Sequence, residues 1–158
     1  MRNLKLFLFL ALSVFIYASC VKKKDYPVNP EIGFKAFYPF SGDTADLVIT
    51  FSDGDGDIGK AQEDPTKNLF ITFQYFNTTS QSFMSYYNNF LNDTVRMDYT
   101  IRKPKDNYDG KPISGEVAVR LNEYRPDNTY KRIRYVMYLV DNSGHKSNVL
   151  TTPELLVP

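Results

Sequence analysis

Asp53, Asp55 and Asp57 alternate with Gly54 and Gly56 in the run Phe51-Ser52-Asp53-Gly54-Asp55-Gly56-Asp57-Ile58-Gly59. Three carboxylates at every second position repel one another unless a positive charge lies between them. A hard cation such as Ca2+ takes several oxygen ligands at about 2.3–2.6 Å from a flexible backbone, and the spacing suits that chemistry. The competing account is a self-satisfied turn. The glycines would then supply positive φ while the aspartates bond nearby backbone amides. Three alternating carboxylates exceed what a turn needs, which puts a structural calcium ion slightly ahead.

The loop is not an EF-hand. Asp53, Asp55, Asp57 and Asp64 fall at the first, third, fifth and twelfth positions of that motif. However, Ile58 stands where its glycine belongs, and the twelfth ligand should be Glu. The flanking runs also read as strands. Further ligands must therefore come from elsewhere. The strand Ala45–Phe51 leads into the loop, and a later strand, Tyr130–Val140, leads into Asp141-Asn142-Ser143-Gly144, a turn by its residue types. In a sandwich these two connections emerge at one end, which adds Asp141 and Asn142 to the expected metal ligands.

The rest of the chain reads as short apolar runs punctuated by Gly, Pro, Asn and Asp. With 12 Tyr, 12 Phe and no Trp, composition favours pleated, half-buried surfaces. Strands are expected at Glu31–Tyr38, Ala45–Phe51, Asn68–Phe76, Thr94–Ile101, Ile113–Leu121, Tyr130–Val140 and Ser147–Val157, with a turn-rich break at Pro104–Pro112. The continuous apolarity of Asn68–Phe76 suggests a central strand covered on both faces. Residues 77–92 read equally as a strand or a short helix. The predicted fold is all-β, an immunoglobulin-like antiparallel β-sandwich of about seven strands.

Catalysis is not expected. His145 is the sole imidazole and lies in a tight turn, no phosphate loop or zinc spacing is present, and the closest carboxylates belong to the acidic loop. Nor is nucleic-acid binding. Without Arg2 and Lys5 of the leader, 17 basic residues face 18 acidic ones. Between Asp43 and Asp64, seven acids meet the single base Lys60, a cation-attracting stretch.

Met1–Lys5 is a basic n-region, Leu6–Tyr17 an apolar stretch too short for a typical span, and Ala18-Ser19 a small-residue cleavage signal. Cys20, the only cysteine, follows at once. The stretch resembles a bacterial lipoprotein signal, in which that cysteine is acylated and becomes the new amino terminus. Tyr17 stands where an aliphatic residue is usual. The resulting division is residues 1–19 signal peptide, 20–30 lipidated Cys20 and tether, and 31–158 sandwich domain. Several acyl chains on Cys20 would give stable membrane anchoring.

Beyond these features, the run from Cys20 through Tyr26-Pro27, the loop Asp53–Gly59 and the ending Tyr138–Asn148 resemble a family of small lipoproteins from the Bacteroidetes. The resemblance covers essentially the whole mature chain. It implies a single immunoglobulin-like or cadherin-like domain at the outer membrane, with no activity attached. The family pattern more often reads Asp-x-Ala-Gly-Asn-x-Ser-Asn at the end, and this chain has Ser143 and His145 at the varied positions. Lys22-Lys23-Lys24 after the cysteine, rather than acids, leans towards the periplasmic face over the cell surface.

The expected role is a non-catalytic binding or interaction module, monomeric, with an unknown protein or glycan partner and calcium stiffening one end. The alternative is glycan binding through Tyr86, Tyr87, Asn88 and Phe90, whose aromatic faces and amides suit sugar rings. The same run also reads as the buried side of a strand.

Overall fold

A computed structural model of the protein describes residues 25–104, 108 and 110–158. The leader, Cys20, residues 21–24 and part of the Pro104–Pro112 break lie outside the described residues. The strands are β1 (Glu31–Pro39), β2 (Ala45–Asp53), β3 (Leu69–Asn77), β4 (Ser82–Ser85), β5 (Tyr87–Asn88) and β6 (Asp93–Thr94). They continue with β7 (Arg96–Tyr99), β8 (Ile113–Leu121), β9 (Arg132–Leu139), β10 (Leu150–Thr151) and β11 (Leu155–Leu156). The described residues are all-β, without a helix.

Two antiparallel sheets carry the core. One has the order β1-β2-β8; the other runs β10-β9-β3-β4, with β7 also on β3 and β11 on β9. Strand parity decides what is inside, because successive side chains point to opposite faces. Ala45, Leu47 and Ile49 of β2 are buried, as are Leu69, Ile71 and Phe73 of β3 and Ile133, Tyr135, Met137 and Leu139 of β9. Together with Val119, Leu121 and Tyr124 they form one cluster drawn from both sheets. Each large apolar side chain buried there contributes about 1.5–3 kcal/mol.

The same parity aims the acids. Asp53 follows Ala45, Leu47, Ile49 and Phe51 on the inward series of β2, and its in-register pairing with Ile113 of β8 holds it there. Asp141 continues Ile133, Tyr135, Met137 and Leu139 of β9 in the same way. Each apolar face therefore ends in a buried carboxylate, one from each sheet. A one-residue slip of either strand would turn its acid to solvent.

β3 is central, as its apolarity suggests, but its outer face is covered by stacked rings and cations rather than by another layer. Phe70 stacks on Tyr138 at 5.0 Å between centroids, and the Lys146 ammonium lies 3.7 Å over that ring. Arg132 lies 3.6 Å over Phe76. Such cation–π contacts let a strand read as wholly apolar while one side meets water.

Residues 77–92 resolve into strand pieces. β4 pairs with Gln74–Asn77 of β3, and β7 pairs with Leu69–Thr72 on the same edge. Between them the chain leaves as the β5–β6 hairpin, closed at its base by Val95 N–H donating to Tyr86 O (2.9 Å). The expected strand Thr94–Ile101 shortens accordingly to Arg96–Tyr99. The last expected strand, Ser147–Val157, is broken at Thr152-Pro153. There Pro153 has no N–H to give a ladder, and Thr152 Oγ1 instead accepts from Tyr135 N at 3.0 Å.

Asn68, fully buried, ties the site end together. Its Nδ2 donates to Ile58 O (2.9 Å) and its Oδ1 accepts from Ile101 N (2.7 Å). Its backbone N–H bonds Tyr99 O and its carbonyl accepts from Val140 N. Asn68→Ala leaves two buried backbone groups without partners, each costing roughly 1–3 kcal/mol. Urea unfolding is expected to show a loss of that size with an unchanged denaturant slope.

Candidate metal centre

The acidic loop leaves β2 at Asp53 and folds back over the end of the sandwich. Asp57 N–H donates to Asp53 Oδ2 (2.9 Å), closing the loop on itself. The glycines make this curvature possible and admit three neighbouring segments. A Cβ on Gly54 would lie 2.5 Å from Tyr26 O and 2.7 Å from Pro27 O. Gly56, at φ +74°, packs under Tyr108 O and Lys111 O, and Gly59 packs under the backbone of Arg102–Lys103. Asp55 O accepts from Gly110 N at 2.6 Å, and Lys60 N–H bonds Ile101 O at 2.9 Å.

From the other sheet, the turn after β9 meets the loop. Asn142 N–H donates to Asp57 O (3.2 Å) and Asn142 Nδ2 to Gly59 O (2.8 Å). Ser143 Oγ donates to Asp57 Oδ2 (2.7 Å). Asp141 Oδ1 accepts from His145 N–H (2.7 Å), and its Oδ2 lies 2.9 Å from His145 Nδ1. Asn148 completes the join, exchanging two bonds of 2.8 and 2.9 Å with the backbone of Ile32 in β1.

Asp53, Asp55, Asp57 and Asp141 come together, one carboxylate oxygen from each lying within 4.8 Å of the others. Two oxygens on opposite sides of a hard cation are separated by about twice a 2.3–2.6 Å bond, so the group fits such an ion. Asp53 is 0 % and Asp141 1 % exposed. The Oδ1 atoms of Asp53, Asp55 and Asp57 are buried and accept no hydrogen bond from the described residues. A self-satisfied turn would spend those oxygens on backbone amides. Here three of them remain for something else, and a buried cluster of four aspartates able to hold a metal ion is the result.

Asn142, expected as a fifth ligand, uses its Nδ2 to brace Gly59 and thereby positions the loop. Ser143 and His145 are site residues that the sequence does not reveal; their side chains hold Asp57 and Asp141. Ser at a turn gives no signal of its own, and the His145 contact depends on the i,i+4 closure that Asp141 makes. Asn68 was equally silent in the sequence.

The Tyr86–Phe90 stretch divides rather than forming one platform. Tyr86 packs inward, with its ring 5.7 Å from Tyr130 and 6.4 Å from Tyr75. Tyr87 is half-exposed and bonds Asn92 Oδ1 (2.6 Å), Asn88 Oδ1 accepts from Phe90 N and Leu91 N, and Phe90 is 95 % exposed.

Comparison of the chain with protein-family models, curated proteins and solved structures finds no match. The geometry of the site carries the functional argument by itself.

Burial pushes the Asp53 carboxyl up to about 6, reinforced by the Asp55 carboxylate and opposed by the single bond from Asp57 N–H. The folded chain thus holds this proton more tightly than the unfolded chain, whose value is 3.8. Asp53 favours folding fully below 3.8, and that contribution is lost as pH rises through about 6. In chelator, therefore, the melting-temperature difference between wild type and Asp53→Asn should move in favour of Asn as pH rises from 5 to 7. A difference independent of pH would contradict the assignment.

Proposed function

We propose that the protein is a membrane-anchored, non-catalytic binding module whose acidic end holds a structural calcium ion. The observation that carries the reading is the trio of buried Oδ1 atoms on Asp53, Asp55 and Asp57, gathered with Asp141. All-oxygen, carboxylate-rich ligands suit Ca2+ or Mg2+. A loop shaped by glycines and bounded by irregular segments favours calcium, which tolerates irregular geometry, over the strict octahedron of magnesium. The ion stiffens loops and lowers the ordering cost of binding a partner. Loss of anion repulsion, not chemistry, is its contribution.

Saturating the full chain in detergent with calcium at about 100 times Kd adds roughly 2.7 kcal/mol of stability. The melting temperature of chelator-stripped protein should rise by several degrees with calcium and much less with equimolar magnesium. Asp53→Asn/Asp57→Asn should abolish the rise. An unchanged melting temperature at millimolar calcium rejects the ion.

The address rests on the leader and on Cys20, with residues 20–30 as tether to an outer-membrane, periplasm-facing domain. Cys20→Ser should lose acyl labelling and shift the protein out of the detergent phase. Protease shaving of intact cells should leave the wild type uncut; cleavage would place it on the cell surface instead.

A second reading, glycan recognition, is favoured by the exposure of Tyr87 and Phe90 on the projecting hairpin, where aromatic faces are free to stack on sugar rings.

A further inference from the structure

The loop that gathers the acids is also the surface on which the segment leading to Cys20 lies. The Tyr26–Pro27 peptide crosses directly over Gly54, so close that a Cβ there would strike both carbonyl oxygens. Tyr26 OH reaches on to Ser114 Oγ of β8 (2.8 Å), and the segment roofs a groove of about 720 Å³ over Ser52, Ser114 and Gly115. On the neighbouring side, Tyr108 O and Lys111 O press on Gly56. Four backbone carbonyl oxygens thus crowd a loop bearing three of the four clustered carboxylates.

Carbonyl oxygens are the negative ends of peptide dipoles. Beside ionised, uncompensated aspartates they are repelled; beside a divalent cation the balance reverses, because the ion becomes the largest local charge. Gly54 directly follows Asp53, so the backbone on which Tyr26–Pro27 lies is the backbone the ion would fix.

We propose that cation binding latches residues 25–30 onto the domain, and that its loss releases them, so that the ion sets how the domain hangs from its tether. The proposal rests on the metal reading above, and adds that the ion's effect extends to the segment outside the sandwich. Release would convert residues 25–30 from a docked strap to a solvated chain.

The test is a nitroxide at Val28→Cys in a Cys20→Ser full chain, Val28 being half-exposed, with calcium binding followed on the same sample by calorimetry. The expected result is a mobile spectrum in chelator that converts to an immobilised one over the calorimetric titration, and does not convert with magnesium alone at equal concentration. Adding Tyr26→Ala should keep the spectrum mobile at saturating calcium, with calcium still binding by calorimetry at a Kd weakened by roughly tenfold, because latch and ion are reciprocally linked. Calcium bound by calorimetry with an unchanged wild-type spectrum overturns the latch and spares the metal site. A calorimetric blank overturns the metal site and the latch with it.

Discussion

Mutual repulsion among buried carboxylates is the constraint that organises this end of the molecule. Four aspartates whose oxygens approach within 4.8 Å repel one another as carboxylates, and a positive charge among them relieves that repulsion. The charges acting on Asp53 are all negative, from Asp55, Asp57 and Asp141. The opposite end of the sandwich is built differently. There Arg125 pairs with Asp43 at 3.0 Å and also donates to Tyr130 O and Pro158 O. One end is satisfied by its own side chains, whereas the other is arranged to take a charge from outside.

What brings the acids together is the register of the two sheets. β2 and β9 each place alternate residues in the core, and each continues that alternation one step further into an aspartate. The hydrophobic effect that fixes the strands thereby also fixes the two buried acids, while the glycine loop swings Asp55 and Asp57 round to join them. Asn68, Asn142, Ser143 and Asn148 then stitch loop, turn and both sheets together with directed bonds.

Much of this was readable from residue patterns. The two-residue period of Ala45–Phe51 and of Ile133–Leu139 defined the strands, and the alternation of Asp53, Asp55 and Asp57 defined the acid site. Placing Asp141 beside them needed only the expectation that both connections emerge at one end. Other features had no pattern to betray them. Asn68 looks like an ordinary polar residue before a strand, and its four-way role exists only once three distant segments converge on it. Residues 77–92 defeated periodicity because a hairpin interrupts the strand midway, and Tyr86 and Tyr87, adjacent in sequence, consequently face opposite fates. The final strand looked continuous because Leu150, Leu155 and Val157 are apolar, yet one proline divides it.

That interrupted edge has a meaning for solubility. An open strand edge is a template on which another chain can pair. The outer edge of β3 is capped by two four-residue strands, β4 and β7, with a hairpin standing out between them. On the other sheet, β1 carries a bulge between Phe34 and Ala36, with Lys35 at the irregularity and Pro39 at its end. Those borders are short or irregular, whereas β8, nine residues in unbroken register with β2, forms the long regular border of its sheet. A second chain seeking a ladder to extend would find it along β8 and not along the broken borders of β1, β4 and β7.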